Sequence, residues 1–412
     1  MVWMSSPFPR PTRLLLSLLA IVVLSLACCW SLRRAYAEHL FLNQTEEAAV
    51  RARNLIPGDA RYQARWADFD PAARISGLEA AVALNPMYSA VWVEMGLRAE
   101  MSNDFPKAEK CLLEAARVDK TFEPRWTLAN YYFRRDEPEK FWSWAREAAA
   151  MAYGDPVALF RLCWKVTEDP GVILRRAIPE RQEILAAYLS FLLAENRLEA
   201  AEPVAQRILE RATREHAPLL LNCSSRLLEA RRVEEAIGIW NSLASRRLIP
   251  HQALAPEAGI SLTNGDFTAL PLLEGFDWRI HSPPGVSVTR VAEPPMLKIA
   301  FSGKQPESCV ILEQLLPLVP ARKYRLRFGY QSSGIRPGAG LSWRVLDTVT
   351  GRELSPASVD LSQEDWTEET LPLSMPAEAR LARLTLSYQR APGTTRIEGS
   401  ISLRRLTLGF SE

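Results

Sequence analysis

The stretch SAVWVEMGLRAEMSNDFPKAEKCLLEAARVDKTFEPRWTLANYYFRR, residues 89–135, decides how the chain is read. Trp92 and Trp126 stand 34 residues apart, as do Leu78 and Leu112, Ala81 and Ala115, and Ala99 and Phe133. Apolar residues recur here at three- and four-residue spacing, the periodicity of a helix with one buried face. The same patterning runs from about Ala48 to Pro250, for example in Leu185, Tyr188, Leu189, Leu192 and Leu193. A short helical hairpin repeated at this period covers its apolar side by leaning on the next one.

Individual residues carry a resemblance. Trp92, Met95, Gly96 and Ala99 fill the first-helix places of a W-x2-L-G-x2-Y pattern, and Ala108, Leu112 and Ala115 the small-large-small places of a second helix. The preceding unit closes LEAAVALNP, with Leu78, Ala81 and Pro86, where proline stops the second helix. These phrases resemble the tetratricopeptide repeat. A second pair, EILAAYLSFLLAENRLEAAEPVAQRIL and APLLLNCSSRLLEARRVEEAIGIWNSL, aligns Leu198 with Val233 and Ala201 with Ala236, 35 residues apart. Departures are visible: Trp142 stands where alanine is expected, Gly154-Asp155-Pro156 replaces the usual ending, and residues 156–181 keep helical character but fit poorly. The resemblance implies five or six helical pairs in a right-handed solenoid over residues 33–250, against the plainer alternative of an irregular bundle. It also implies an inner groove, lined by Val93, Leu97 and Glu100 in one unit and Thr127, Tyr131 and Arg134 in the next. Such a groove takes an extended peptide or a partner helix; solvated helix faces without a ligand are the alternative.

Upstream, residues 14–32 read LLLSLLAIVVLSLACCWSL without a charge, between Arg10 and Arg13 on one side and Arg33 and Arg34 on the other. About 20 apolar residues cross a bilayer, whereas a cleavable signal has an apolar core of only ~7–15. An uncleaved anchor is therefore expected after a short tail of residues 1–13. A lipoprotein signal is the next reading, with Leu26-Ala27 before Cys28-Cys29 only a distorted version of its motif, and a cleaved signal the third. Arginine pairs at both ends leave the charge rule nearly tied on orientation. A short leader, one span and a large remainder match a bacterial-type signal anchor, so a single-pass inner-membrane protein with its bulk on the periplasmic side is expected.

After Pro250 the helical period stops, and a linker over residues 251–260 leads into short runs rich in Val, Leu, Tyr and Trp. Expected strands are Leu262 to Phe267, Trp278 to Ile280, Val286 to Val291, Leu297 to Phe301, Cys309 to Leu315, Tyr324 to Gln331, Leu341 to Asp347, Trp366 to Leu373, Arg380 to Tyr388 and Ile397 to Leu408. Many short strands at ~10-residue spacing predict an antiparallel sandwich over residues 261–412. LTNGDF at residues 262–267, KYRLRF at 323–328 and the closing LTLSYQR and GSISLRRLTL resemble jelly-roll domains of the carbohydrate-binding, galactose-binding-like type. That likeness implies aromatic platforms for a sugar, with Tyr330, Trp343 and Tyr388 as candidates, though core packing is the favoured reading for each, while Trp278 and Trp366 read as core. Gly334–Gly340 reads as a flexible hairpin loop rather than a phosphate cradle.

The fold class is thus multidomain α plus β: a transmembrane helix, an all-α repeat array and a β-sandwich. At 412 residues the chain exceeds one hydrophobic core, and 50 Lys and Arg against 48 Asp and Glu offer no basic surplus for nucleic acid. Six cysteines without CxxC spacing and four scattered histidines predict neither metal site nor disulfide framework, and no cofactor is expected. HExxH, GxSxG and GxxxxGK[ST] are missing, and nothing draws Asp347 towards Glu353, or Asp360 towards Glu364, across a cleft, so no catalysis is assigned. The expected function is a membrane-tethered scaffold with a protein partner in its groove, set in bacterial envelope or exopolysaccharide assembly. A carbohydrate-binding receptor with the helices as spacer is the alternative.

Overall fold

The computed structural model describes residues 10–70, 74–355 and 359–411, and the expected tail of residues 1–13 lies mostly outside them. Among the described residues fourteen α-helices precede nine β-strands. The chain divides into two compact units, Met1–Pro179 and Glu180–Glu412.

In the first unit α1 (Arg10–Leu42) is one unbroken helix. Its side chains from Leu14 to Leu32 are all exposed, and it is the one helix among the described residues long and apolar enough to cross a membrane. Past Arg34 the helix joins the protein. Ala37 and Leu40 are buried in a cluster with Ala48 and Ala52 of α2 (Glu46–Leu55) and Tyr62 of α3 (Ala60–Phe69). Glu38 accepts hydrogen bonds from the Tyr62 hydroxyl at 2.9 Å and the Arg61 guanidinium at 3.0 and 3.3 Å. Those bonds, Tyr62's first, hold the Glu38 carboxyl below its ordinary range.

Three hairpins follow: α3 with α4 (Arg74–Leu84), α5 (Ser89–Met101) with α6 (Phe105–Val118), and α7 (Phe122–Arg134) with α8 (Pro138–Ala150). The poorly matching segment makes two shorter helices, α9 (Val157–Val166) and α10 (Pro170–Arg176), both packed on α8. Asn103 and Asp136 turn the second and third hairpins with positive φ. In each turn the next N–H closes back onto the helix, Asp104 to the Ala99 carbonyl at 2.8 Å and Glu137 to that of Tyr132 at 3.0 Å, satisfying carbonyls a helix end leaves unpaired.

These turns correct the register. Asn103 and Asp136 are 33 residues apart, as are the starts of α5 and α7 and those of α6 and α8. Met95 is therefore equivalent to Leu128, Gly96 to Ala129 and Leu112 to Ala145, and all six are buried. Trp92 and Trp126 are one place out of step, and Phe141 rather than Trp142 takes the small-residue place. A period of 34 does hold one unit earlier, where Leu78, Leu112, Ala81 and Ala115 are all buried.

The second unit begins with two further hairpins, α11 (Gln182–Ala194) with α12 (Leu198–Glu210) and α13 (Ala217–Glu229) with α14 (Val233–Ser245). They turn at Asn196 and Arg231 with the same positive φ. Ala201 and Ala236, matched in the sequence, are both fully buried.

Nine strands follow: β1 (Arg279–Ile280), β2 (Val286–Val291), β3 (Met296–Ser302), β4 (Ser308–Pro317), β5 (Lys323–Ser333), β6 (Leu341–Asp347), β7 (Thr367–Ser374), β8 (Leu381–Gln389) and β9 (Glu398–Phe410). They form antiparallel sheets in the orders β1-β4-β8-β6 and β2-β3-β9-β5-β7. From β3 onward every consecutive strand lies in the other sheet, the winding of a jelly roll. Trp278, Phe328, Tyr330, Trp343 and Tyr388 lie in the core between them. Two expectations are corrected here. Leu262–Phe267 is irregular, because Asn264 and Phe267 take positive φ and interrupt extended backbone. Gly334–Gly340 joins strands of different sheets, so it is a crossover and not a hairpin loop.

The sandwich and the last hairpin share a seam. Trp240 of α14 lies parallel to the His251 imidazole at 5.8 Å and edge-on to Phe276 at 5.8 Å. His251 Nε2 is 3.0 Å from the Asp277 carboxylate, with both side chains essentially buried. The Ser225 hydroxyl accepts from the Gly275 N–H at 2.7 Å and donates to Glu274.

Candidate functional site

The six groove candidates lie on α5 and α7. Val93 and Leu97 are half-buried on α5, and Thr127 is half-buried on α7 with its hydroxyl donating to the Glu123 carbonyl at 2.9 Å. Glu100 and Arg134 meet across the two helices, the guanidinium donating from Nε at 2.7 Å and from Nη2 at 2.6 Å. Glu100 is only 15% exposed, so this two-bond pair is better sheltered than an ordinary surface pair. Of the six candidates the structure thus joins Glu100 and Arg134. Tyr131 is turned inward: it is 2% exposed, and its hydroxyl donates to the Phe105 carbonyl at 3.1 Å. Burial pushes that phenol's pKa up. Tyr131 is an interior brace between hairpins, tying α7 to the start of α6.

A second tie stands beside it. The buried Tyr132 hydroxyl donates to Glu109 at 2.8 Å, and Lys140 donates to the same oxygen at 2.8 Å. The hydrogen bonds from Lys140 and then Tyr132 hold the Glu109 carboxyl below the usual carboxylate range. Together these bonds fix α6 against α7 and α8.

On the sandwich the three sugar-platform candidates prove to be core, the reading set beside the platform one. Tyr330, Trp343 and Tyr388 are fully buried, and a ring without exposed surface offers no face for stacking. The Tyr330 hydroxyl donates to the Asp360 carbonyl at 3.0 Å, Trp343 packs on Trp278 and Phe328, and Tyr388 on Phe301. Trp366, read as core, is instead half-buried, with the Arg404 guanidinium 3.8 Å from its ring centre. The signal was available, since Trp366 is two residues before Glu368 and four before Thr370, both exposed on the same strand face.

The remaining chemistry-bearing groups have structural partners. Asp347 accepts from Val349 N–H and Thr350, Glu353 pairs with Arg344, and Asp360 accepts from the Gly338 N–H. Burial pushes the Cys163 and Cys223 thiols up to about 12. Among the described residues no group of three or more His, Cys, Asp or Glu is placed to hold a metal ion.

No protein-family model matches the chain, and no curated protein does. Solved structures similar to it include a CBM4 carbohydrate-binding module, 18% identical, covering 37% of this chain and 100% of that one with a TM-score of 0.29. YrrB, a TPR protein with an unusual peptide-binding site, is 13% identical over 49% of this chain and 93% of that one, with a TM-score of 0.24. PilF of Pseudomonas aeruginosa is 14% identical over 54% of this chain and 94% of that one, with a TM-score of 0.28.

Proposed function

We propose that the chain is a non-enzymatic scaffold tethered to a membrane. In this reading α1 fixes it in the bilayer, the helical array of residues 33–250 holds a protein partner along the face of Val93 and Leu97, and residues 251–260 lead to a sandwich, residues 261–412, that meets a glycan or another envelope component. The setting we propose is bacterial envelope or exopolysaccharide assembly, with the soluble part outside the inner membrane. The observation that supports it is α1 itself: its apolar half is wholly uncovered, while its other half is packed and hydrogen-bonded into the first helices. The test is affinity purification of the full chain from membranes, comparing wild type with Val93→Glu/Leu97→Glu. Roughly tenfold less co-purified protein is expected from the variant, the effect of ~1.4 kcal/mol. Equal recovery at matched thermal stability would overturn the groove. Protease added to intact spheroplasts is expected to digest the soluble part.

Trp366 supports the second reading, a carbohydrate-binding sandwich, because a half-exposed indole beside an arginine presents both an apolar face and hydrogen-bond donors. Retardation in polysaccharide-containing gels, abolished by Trp366→Ala, is the outcome that reading requires.

A further inference from the structure

Where α1 leaves its apolar stretch it forms one wall of a cleft of about 700 Å³, lined by Trp30, Arg33 and Arg34 from α1 and by Ile56, Asp59 and Arg61 from the α2–α3 connection and the start of α3. Three cations face one carboxylate, and that carboxylate is already taken: Asp59 pairs with Arg61 at 3.0 Å, while Glu38 holds the rest of the same guanidinium. Arg33 and Arg34 are exposed, and among the described residues neither has a carboxylate within 4.0 Å; Arg34 acts on Asp59 only through its charge, and Arg33 lies 6.0 Å from the Trp30 ring.

Position gives this charge a meaning. At 1.5 Å per residue the stretch from Leu14 to Leu32 rises about 28 Å, close to the ~30 Å of a hydrocarbon core. Arg33 and Arg34 then stand at the level of the lipid headgroups, with Trp30, 54% exposed, at the boundary that indole rings favour. The Glu38 clamp to Arg61 and Tyr62 sets the opposite wall at that same depth. Leu55, Ile56 and Pro57 add an apolar side. A cleft with surplus arginines, an interfacial indole and an apolar wall, held where phosphates lie, matches a phosphate attached to acyl chains.

We infer that this cleft binds the phosphate group of an anionic phospholipid through Arg33 and Arg34. The inference rests on α1 spanning the bilayer, as in the proposed function. Its test uses the full chain in nanodiscs of mixed phosphatidylcholine and phosphatidylglycerol, with retained lipids read by native mass spectrometry after release. Wild type and a charge-matched control, Arg51→Gln/Arg117→Gln, whose arginines are exposed and paired elsewhere, are expected to retain phosphatidylglycerol preferentially. Arg33→Gln/Arg34→Gln is expected to lose that preference roughly tenfold. Equal retention of the two lipids by wild type, or an unchanged preference in the Arg33/Arg34 variant, overturns the inference. Binding of inorganic phosphate by wild type in discs, without any preference for phosphatidylglycerol, would assign the cleft to the free anion and sink the lipid. Failure of the chain to enter the discs defeats the tether and this site together, whereas entry without lipid preference defeats the site alone.

Discussion

Gly96 sits where α5 and α6 touch, and a Cβ there would lie 2.6 Å from both Cγ and Cδ2 of Leu112. Two effects compete in Gly96→Ala: alanine favours a helix by ~1 kcal/mol, while overpacking costs ~1–3 kcal/mol. The clash wins, because Leu112 is fully buried and the contact reaches its branch point rather than only a free end. A net loss of up to about 2 kcal/mol is expected, read as a lower midpoint in urea. An unchanged midpoint would mean that Leu112 yields. Gly96 and Leu112 were legible because the pattern ties a small residue to a large one across a hairpin. Tyr131 was not, because spacing between two tryptophans measures distance in sequence and does not say which side chain turns inward. Tyr330, Trp343 and Tyr388 were legible as core. Tyr330 shares a strand face with Leu326 and Phe328, Trp343 with Leu341 and Val345, and Tyr388 with Leu384 and Leu386, all of them buried.

Between elements, the tie of Glu109 to Tyr132 and Lys140 makes a pH prediction whose sign is fixed. A carboxyl with a depressed folded pKa contributes stability that is complete above its unfolded value of ~4.3 and is lost as pH falls through the folded value. Glu109→Gln is therefore expected to melt below wild type at pH 7, with the gap closing under more acidic conditions; a constant gap from neutral to acid pH would remove the charge from the explanation. Strand boundaries were legible from alternation: Val286–Val291 and Leu341–Asp347 appear as expected, and seven others shift by at most two residues at either end. What alternation lacks is partner choice. It marks which face of a strand is apolar but not which sheet it joins, so the Gly334–Gly340 crossover was invisible.

At the scale of the molecule, Trp240, His251 and Asp277 place the last hairpin and the sandwich in one compact unit. Trp240 is fully buried, so Trp240→Ala in the full chain is expected to cost about 3–5 kcal/mol. Hydrogen exchange is then expected to rise together in α13 and in β4. Loosening confined to the helices would show the seam to be incidental. The unbroken course of α1 has a mechanical corollary. No glycine or proline interrupts residues 30–42, so no swivel separates the uncovered apolar half from the half that carries Glu38. With the apolar half seated in a bilayer, as proposed above, a tilt imposed by a thicker or thinner membrane would pass undiminished to the helices that pack on Ala37 and Leu40.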